Sequence, residues 1–363
     1  MLPASSAILS MLDVPAGPAA CILGAADDKN KCLTMPRVEA MLPGEPKDEG
    51  KGAGQMIGKH RVIALEEHYA DDLTAIEGQA LINKLSDVHD IRLPEMDAAG
   101  VDVQILSAAP PGMQRPDASA DLALQANNRL ALLTQEAPDR LMAFAALPTA
   151  SPSACADELR RAVGDLGFRG ALINGTTGGG FLDDPAYLDM FRAAQDLGVP
   201  IYLHPGQVVD AVSRAYLAPY DTSHPMFAHA AWGFTIDTGT HAMRLVLSGL
   251  FDACPDVQII LGHLGEGIPY LMPRIEEALS RNTPMKNFSE VFTRHFHVTS
   301  SGFFSNRSLQ LCIDVMGIDR VMFSVDWPYA SNSAATDWAS HLDLGDDGMS
   351  RFLHRNAEAL LRL

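Results

Sequence analysis

The constraint that most limits how this chain can fold is a repeated unit. From Arg61 onward a short apolar run is followed by a turn, a stretch with helical periodicity, and then another apolar run. Eight such runs can be read, at 62–65, 101–107, 141–147, 170–174, 200–203, 257–261, 296–299 and 320–325. Several helical stretches end in glycine ("AAG" at 98–100, "DLG" at 165–167 and 196–198), where a helix C-terminus favours a residue that tolerates positive φ. Runs that are apolar throughout suit strands buried on both faces, which means a parallel sheet covered by helices. Eight of them, with helices between, predict an α/β fold closed as a TIM-like (β/α)8 barrel, an architecture of about 250 residues. An open doubly wound sheet is the competing arrangement.

The first 58 residues read differently. They are rich in Ala, Pro and Gly, and "GEPKDEGKGAGQ" has almost nothing to bury, so a disordered N-terminal extension is expected over 1–58 and the barrel over 59–363. A formal net charge of −18 argues against nucleic acid as a partner, because its phosphates would be repelled. No apolar run approaches the roughly 18 residues that a membrane span requires. Cys21, Cys32, Cys155, Cys254 and Cys312 lie far apart without C-x-x-C spacing, which suits free thiols. The N-terminus lacks a basic, apolar leader pattern, so the cytoplasm is the expected compartment.

Barrel enzymes place their reacting groups at the C-terminal ends of strands. Here the first run leads into Glu66-Glu67-His68, the fifth into His204-Pro205, the sixth into "GHLGEG" (262–267) and the eighth into Asp326-Trp327-Pro328. Side chains alternate along a strand, so Glu66 and His68 should point together and Glu67 away from them, toward packing. His204 and Asp326 would complete a four-residue site from across the mouth. Nitrogen and carboxylate donors without thiolate suit one divalent ion, Zn2+ or Mn2+, and the fourth run carries no lysine of the kind that two-metal sites employ. His263 and Glu266, three apart between glycines, read as a charge-stabilising histidine and its orienting carboxylate. Arg274 is a candidate for the positive charge that an acidic substrate needs, with Pro273 expected to kink its helix. The remaining histidines are read as structural. His297 is the one of these expected nearest the site, and His229 and Trp232 are expected to pack in the core.

The segments "IALEEHY", "LHPGQ", "LGHLGEGIPY", "VTSSGFF" and "RVMFSVDWPY" resemble the amidohydrolase-2 family, and within it the hydroxybenzoate decarboxylases. The resemblance spans about residues 60–363. It implies that Glu66, His68, His204 and Asp326 are metal ligands, that His263 and Glu266 are a catalytic pair together with Asp326, and that Arg274 binds substrate. It further implies a non-oxidative carboxy-lyase acting on a hydroxylated aromatic acid, with a homodimer or homotetramer as the assembly and no organic cofactor. The loops after the first and fourth runs are short for that family, and Ala330 stands where a polar residue is more familiar. A metal-dependent hydrolase or hydratase of a lactone, amide or muconate-type acid is the alternative on the same barrel, and a metal-stabilised binding protein a more distant one.

Overall fold

A computed structural model describes residues 57, 60–73, 79–281, 285 and 287–363. Apart from Ile57, the expected extension over 1–58 lies outside the described residues, and so do Cys21 and Cys32.

All eight apolar runs become staves of a barrel. They are β1 (Ile63–Tyr69), β2 (Val103–Ala108), β3 (Leu141–Ala143) with β4 (Ala145–Ala146), β5 (Ala171–Asn174), β6 (Ile201–His204), β7 (Ile259–Leu261), β8 (Phe296–Thr299) and β9 (Val321–Met322). Every paired strand is parallel to its neighbour. The third run is split at Phe144, whose N–H still donates to Leu106 O at 2.9 Å, so β3 and β4 form one stave. Positive φ at Gly100 (73°) and Gly198 (62°) closes the helices Leu93–Ala99 and Leu188–Leu197, the role the "AAG" and "DLG" stops imply.

The apolar runs carry two cores because alternate residues face opposite ways. Ile63, Leu65, Val103, Ile105, Phe144, Leu172, Tyr202, Ile260 and Met322 fill the barrel interior, with Ala357 and Leu361 packed into the same cluster. Ala64, Leu106, Ala143, Ile173, Leu203, Leu261 and Val298 point outward and pack under the helices. Filling both faces is what a covered parallel sheet requires.

The first stave is irregular near the mouth. Ile63 and Ala64 pair with Val103 and Gln104, but Glu67 and His68 pair with Leu106 and Ser107, so β1 carries one extra residue between Ala64 and Glu67. Such a bulge re-aims the side chains beyond it. Leu65 belongs to the interior core, and Glu66, its immediate neighbour, also reaches inward to Tyr202.

The helix Ile268–Leu279 runs on through the exposed Pro273. Expectations for three other side chains are corrected. His297 is held at the opposite end of its strand from the mouth: Arg320, near the start of β9, donates to its Nε2 at 2.8 Å and also to Gln258. Trp232 is 50 % exposed and His229 is exposed too, so neither packs in the core. Cys155, Cys254 and Cys312 are free and buried. Among the described residues, no helix is long and apolar enough to cross a membrane.

Two buried histidines make an acid-sensitive prediction. Burial lowers the His241 and His297 imidazoles to about 3, and each accepts a hydrogen bond at Nε2, from Leu182 N–H and from Arg320 respectively. Both are therefore neutral in the fold, whereas the unfolded chain protonates them near pH 6.5. Below that pH the unfolded state binds more protons, so stability falls as pH drops from about 6.5 toward 3, by up to about 1.4 kcal/mol per pH unit for each histidine. Denaturant midpoints across this range should show the gap between wild type and His241→Gln/His297→Gln narrowing as pH falls. Parallel curves would show that these side chains do not titrate in the unfolded state alone.

Candidate active site at the barrel mouth

Three strand ends bring Glu66, His68, His204 and Asp326 together, the first two from β1. One ligand atom from each lies within 4.8 Å of all the others. His68 Nε2 stands 3.0 Å from Asp326 Oδ1, and His204 Nε2 stands 3.1 Å from Glu66 Oε1. The two imidazole rings meet edge to face with centroids 4.7 Å apart. Glu66, His68 and His204 are buried and Asp326 is half-buried, so the cluster opens to the mouth on one side only.

The hydrogen bonding around the cluster prepares it for a cation. Pro205 O can only accept, so the His204 Nδ1 that contacts it at 2.6 Å carries the proton, and Nε2 of the neutral ring presents a lone pair. Close as they are, His204 Nε2 and Glu66 Oε1 do not form a hydrogen bond: Oε1 is buried without a partner. An unpartnered buried carboxylate oxygen is costly unless something positive meets it. Two imidazoles and two carboxylates converging on one point fit a single divalent ion.

Glu66 is held from behind. The Tyr202 hydroxyl donates to its Oε2, and Tyr202 is in turn bonded to Thr299 Oγ1 at 2.6 Å and Ser301 Oγ at 3.3 Å. Burial would raise the Glu66 carboxyl, but the charge of the neighbouring His263, the largest opposing cause, outweighs it and the group is lowered. Burial likewise opposes the Asp326 anion, and the nearby His263 together with the hydrogen bond to His68 overcomes it, leaving that carboxyl lowered. Burial pushes His68 down, toward the neutral ring that a ligand must be. The space for Glu66 is reserved by Gly262, where a Cβ would come within 2.4 Å of Oε2.

The second group sits beside the first. His263 Nδ1 lies 2.7 Å from Glu266 Oε1, while its Nε2 faces Glu66 Oε1 at 3.6 Å and Asp326 Oδ2 at 3.9 Å. Five successive residues adopt positive φ here: His263 (49°), Leu264 (53°), Gly265 (82°), Glu266 (52°) and Gly267 (76°). Left-handed backbone costs a non-glycine residue roughly 1–2 kcal/mol. The turn is held by Leu264 N–H to Thr299 O and Gly265 N–H to Gly262 O, each 2.8 Å. It places Glu266 under the imidazole, and although burial opposes the charged ring, Glu266 and Glu66 raise His263 well above its ordinary value. A protonated His263 offers its Nε2–H to the cavity.

Arg274 is not brought into this group. It is exposed on the helix Ile268–Leu279 and makes no hydrogen bond or ion pair among the described residues. The sequence pattern also passed over Tyr202, Thr299, Ser324 and Gly262. Tyr202 has a legible signal, since it lies two residues before His204 and so shares its face; for Ser324 and Gly262 no comparable pattern exists.

Comparison with known proteins fits this geometry. An amidohydrolase family model matches residues 83–363. Gamma-resorcylate decarboxylase of Rhizobium radiobacter is 38 % identical over 325 residues, covering 83 % of this chain and 98 % of its own. A crystal structure of 2,6-dihydroxybenzoate decarboxylase complexed with 2,6-dihydroxybenzoate superposes with a TM-score of 0.78 at 38 % identity, covering 84 % of this chain and all (100 %) of that one. Dihydroxybenzoic acid decarboxylase of Polaromonas sp. JS666, solved with bound manganese and the inhibitor 2-nitroresorcinol, gives 0.77 at 34 % identity, covering 84 % of this chain and 97 % of that one.

The reserved space at Gly262 yields a direct check on the cluster. Gly262→Ala should push the Glu66 carboxylate off the common point while leaving the barrel folded. The affinity for a divalent ion, followed by titration into chelator-treated protein, should weaken about 10-fold or more, the scale on which groups that orient a metal ligand act. Unchanged affinity would show that Glu66 does not contribute to holding the ion.

Proposed function

We infer that this chain, which belongs to the amidohydrolase family, is a metal-dependent decarboxylase that acts on a hydroxybenzoate bearing a hydroxyl ortho to its carboxylate. The observation that carries the reading is the meeting of the Glu66, His68, His204 and Asp326 donors with the His263–Glu266 pair at one barrel mouth. The 38 % identity to a gamma-resorcylate decarboxylase over most of both chains supports the substrate class. Glu66, His68, His204 and Asp326 are the residues we assign to the ion. Manganese is the first candidate because similar structures contain it, and zinc is compatible with the same nitrogen and oxygen donors. When bound, the ion supplies positive charge that offsets the carboxylate and ortho oxygen of the substrate.

Loss of CO2 directly from the ring would leave an unstabilised aryl anion, so the ring carbon must gain a proton first. Asp326 is an anion at rest and therefore has to collect that proton. The ortho hydroxyl is the source: it gives its proton to Asp326, and the resulting phenolate raises electron density at the carbon bearing the carboxylate. Asp326 then donates the proton to that carbon, and a C–H bond forms. The C–C bond to the carboxylate breaks, its electron pair returns to the ring, and CO2 leaves. The phenolate product takes a proton from solvent, so one proton is consumed overall. Throughout, His263 Nε2–H donates to a substrate oxygen, and Glu266 keeps the ring charged and correctly turned.

Arg274, exposed outside the converged group, is the cationic side chain we assign to attracting the substrate's negative charge before the ion and His263 receive it; its unpaired guanidinium leaves its donors available. A homo-oligomeric working form is supported by Tyr216, Tyr220, Met226 and Trp232, large apolar side chains that are exposed along one segment after β6.

Asp326→Asn, assayed with manganese against a panel of hydroxybenzoates, tests the central step. The variant should stay folded and keep part of its metal, while CO2 release falls by about 10²-fold to 10⁴-fold. An asparagine variant that turns over at the wild-type rate would remove Asp326 as the proton donor, and wild-type turnover of lactones without CO2 would replace the lyase with a hydrolase.

A further inference from the structure

The last stave does not complete its ladder. β9 ends at Met322, and the residues after it, up to Trp327, meet β1 through an isolated bridge between Glu67 and Trp327, with His68 N–H donating to Trp327 O at 2.8 Å. Two amide groups of this stretch, those of Val325 and Trp327, find their partner in one side chain instead. Glu67 Oε1 accepts from Val325 N–H and from the Ser324 hydroxyl, both at 3.0 Å, and Oε2 accepts from Trp327 N–H at 3.3 Å and Gln104 Nε2 at 3.2 Å. The two backbone donors belong to the residues on either side of Asp326. Asp326 itself sits at φ 72°, a left-handed conformation that is uncommon outside glycine, although aspartate tolerates it better than most residues.

We propose that Glu67 is a positioning residue for the proton-donating aspartate: its carboxylate clamps the two amides that flank Asp326 and so fixes the strained backbone from which that side chain reaches the substrate. The proposal rests on the role given to Asp326 above. Glu67 is fully buried on the face of β1 opposite Glu66 and His68, so it touches neither substrate nor ion. Its surroundings are built to keep it in place. Arg92, also fully buried, donates to Gln104 Oε1 at 2.9 Å and to His68 O, and its guanidinium lies 4.0 Å from the centre of the Trp327 ring. Trp327 Nε1 donates to Glu95 at 2.7 Å. From the other side the Ser324 hydroxyl accepts from Leu65 and Glu66 N–H at 3.0 and 2.6 Å, so the same knot also sets the bulged segment that carries Glu66. Burial pushes the Glu67 carboxyl up to about 8, but four donors and no acceptor face its two oxygens, an arrangement suited to the carboxylate, which accepts at both. A glutamine would turn an N–H2 toward two donors.

The test compares Glu67→Gln with Asp326→Asn in the manganese-loaded enzyme, reading kcat, KM, bound metal and thermal midpoint. Glu67→Gln should lower kcat by about 100-fold, the scale of a displacement near 1 Å in a reacting group, with KM within about threefold and metal still bound. A purely structural role predicts a lower midpoint with kcat per folded molecule within about threefold of wild type, and that result would overturn the proposal. If Glu67→Gln does not fold, Glu67→Asp serves in its place, since it keeps the carboxyl group but is one methylene too short to reach both amides; the same fall in kcat at constant KM is expected, and its absence counts against the clamp. Loss of turnover in Asp326→Asn with retained turnover in the Glu67 variant rejects the clamp alone. Retained turnover in Asp326→Asn rejects the reading on which it rests.

Discussion

Two imidazoles and two carboxylates pressed together in a buried mouth define this molecule. Left to themselves, the acceptor atoms of Glu66, His204, His68 and Asp326 would move apart or neutralise one another by proton sharing. The protein blocks both routes on one side of the cluster: His204 has its proton committed to Pro205 O, and Glu66 Oε1 is left without a hydrogen bond although a ring nitrogen is 3.1 Å away. That arrangement is costly in a low-dielectric site unless a cation completes it. The rest of the mouth, including Tyr202 behind Glu66 and the missing side chain at Gly262, serves to keep those atoms converged.

The cost of holding the site appears in the backbone as well. Of the six non-glycine residues with positive φ among the described residues, His263, Leu264, Glu266, Ser301 and Asp326 come after the ends of β7, β8 and β9. Strain of this kind survives where surrounding structure over-determines it. Here the over-determination has two sources: the fully packed faces of the short strands before each turn, and side-chain bonds such as those of Glu67 and Ser324 that stand in for missing ladder pairs. A barrel closed at this seam by a carboxylate can change direction sharply just where Asp326 must be presented.

The sequence carried most of this and missed a definable part. The eight apolar runs were legible because burial on both faces leaves no alternation to hide them, and the convergence of Glu66, His68, His204 and Asp326 was legible because barrel strands end at one mouth. The bulge in β1 was not. Strict alternation puts Leu65 and Glu66 on opposite faces, whereas both turn inward, and only the pairing with β2 reveals the extra residue. Glu67 was placed correctly away from the ion but read as mere packing, because no local pattern shows that the amides around Asp326 lack strand partners. Trp232 was expected to pack in the core, yet it stands on an exposed segment. His297 shares a strand with the mouth, but at two residues before Thr299 it is already too deep, and Arg320 claims it.

A chain with net charge −18 would seem a poor host for the anionic substrate assigned to it. At physiological ionic strength, however, fields from the outer surface decay over about 8 Å, so remote carboxylates add little inside the mouth. What the substrate meets is local. Glu66 and Asp326 together match the charge of one divalent ion, and the charges of His263 and Glu266 cancel as a pair. The mouth is then close to neutral, with its positive components directed at the substrate through the ion and His263 Nε2–H. Glu266 and Glu67 are turned away, one beneath the imidazole and the other on the far face of β1. Sorting the acids by the direction in which they point, more than by their number, is how an acidic protein can receive an acid.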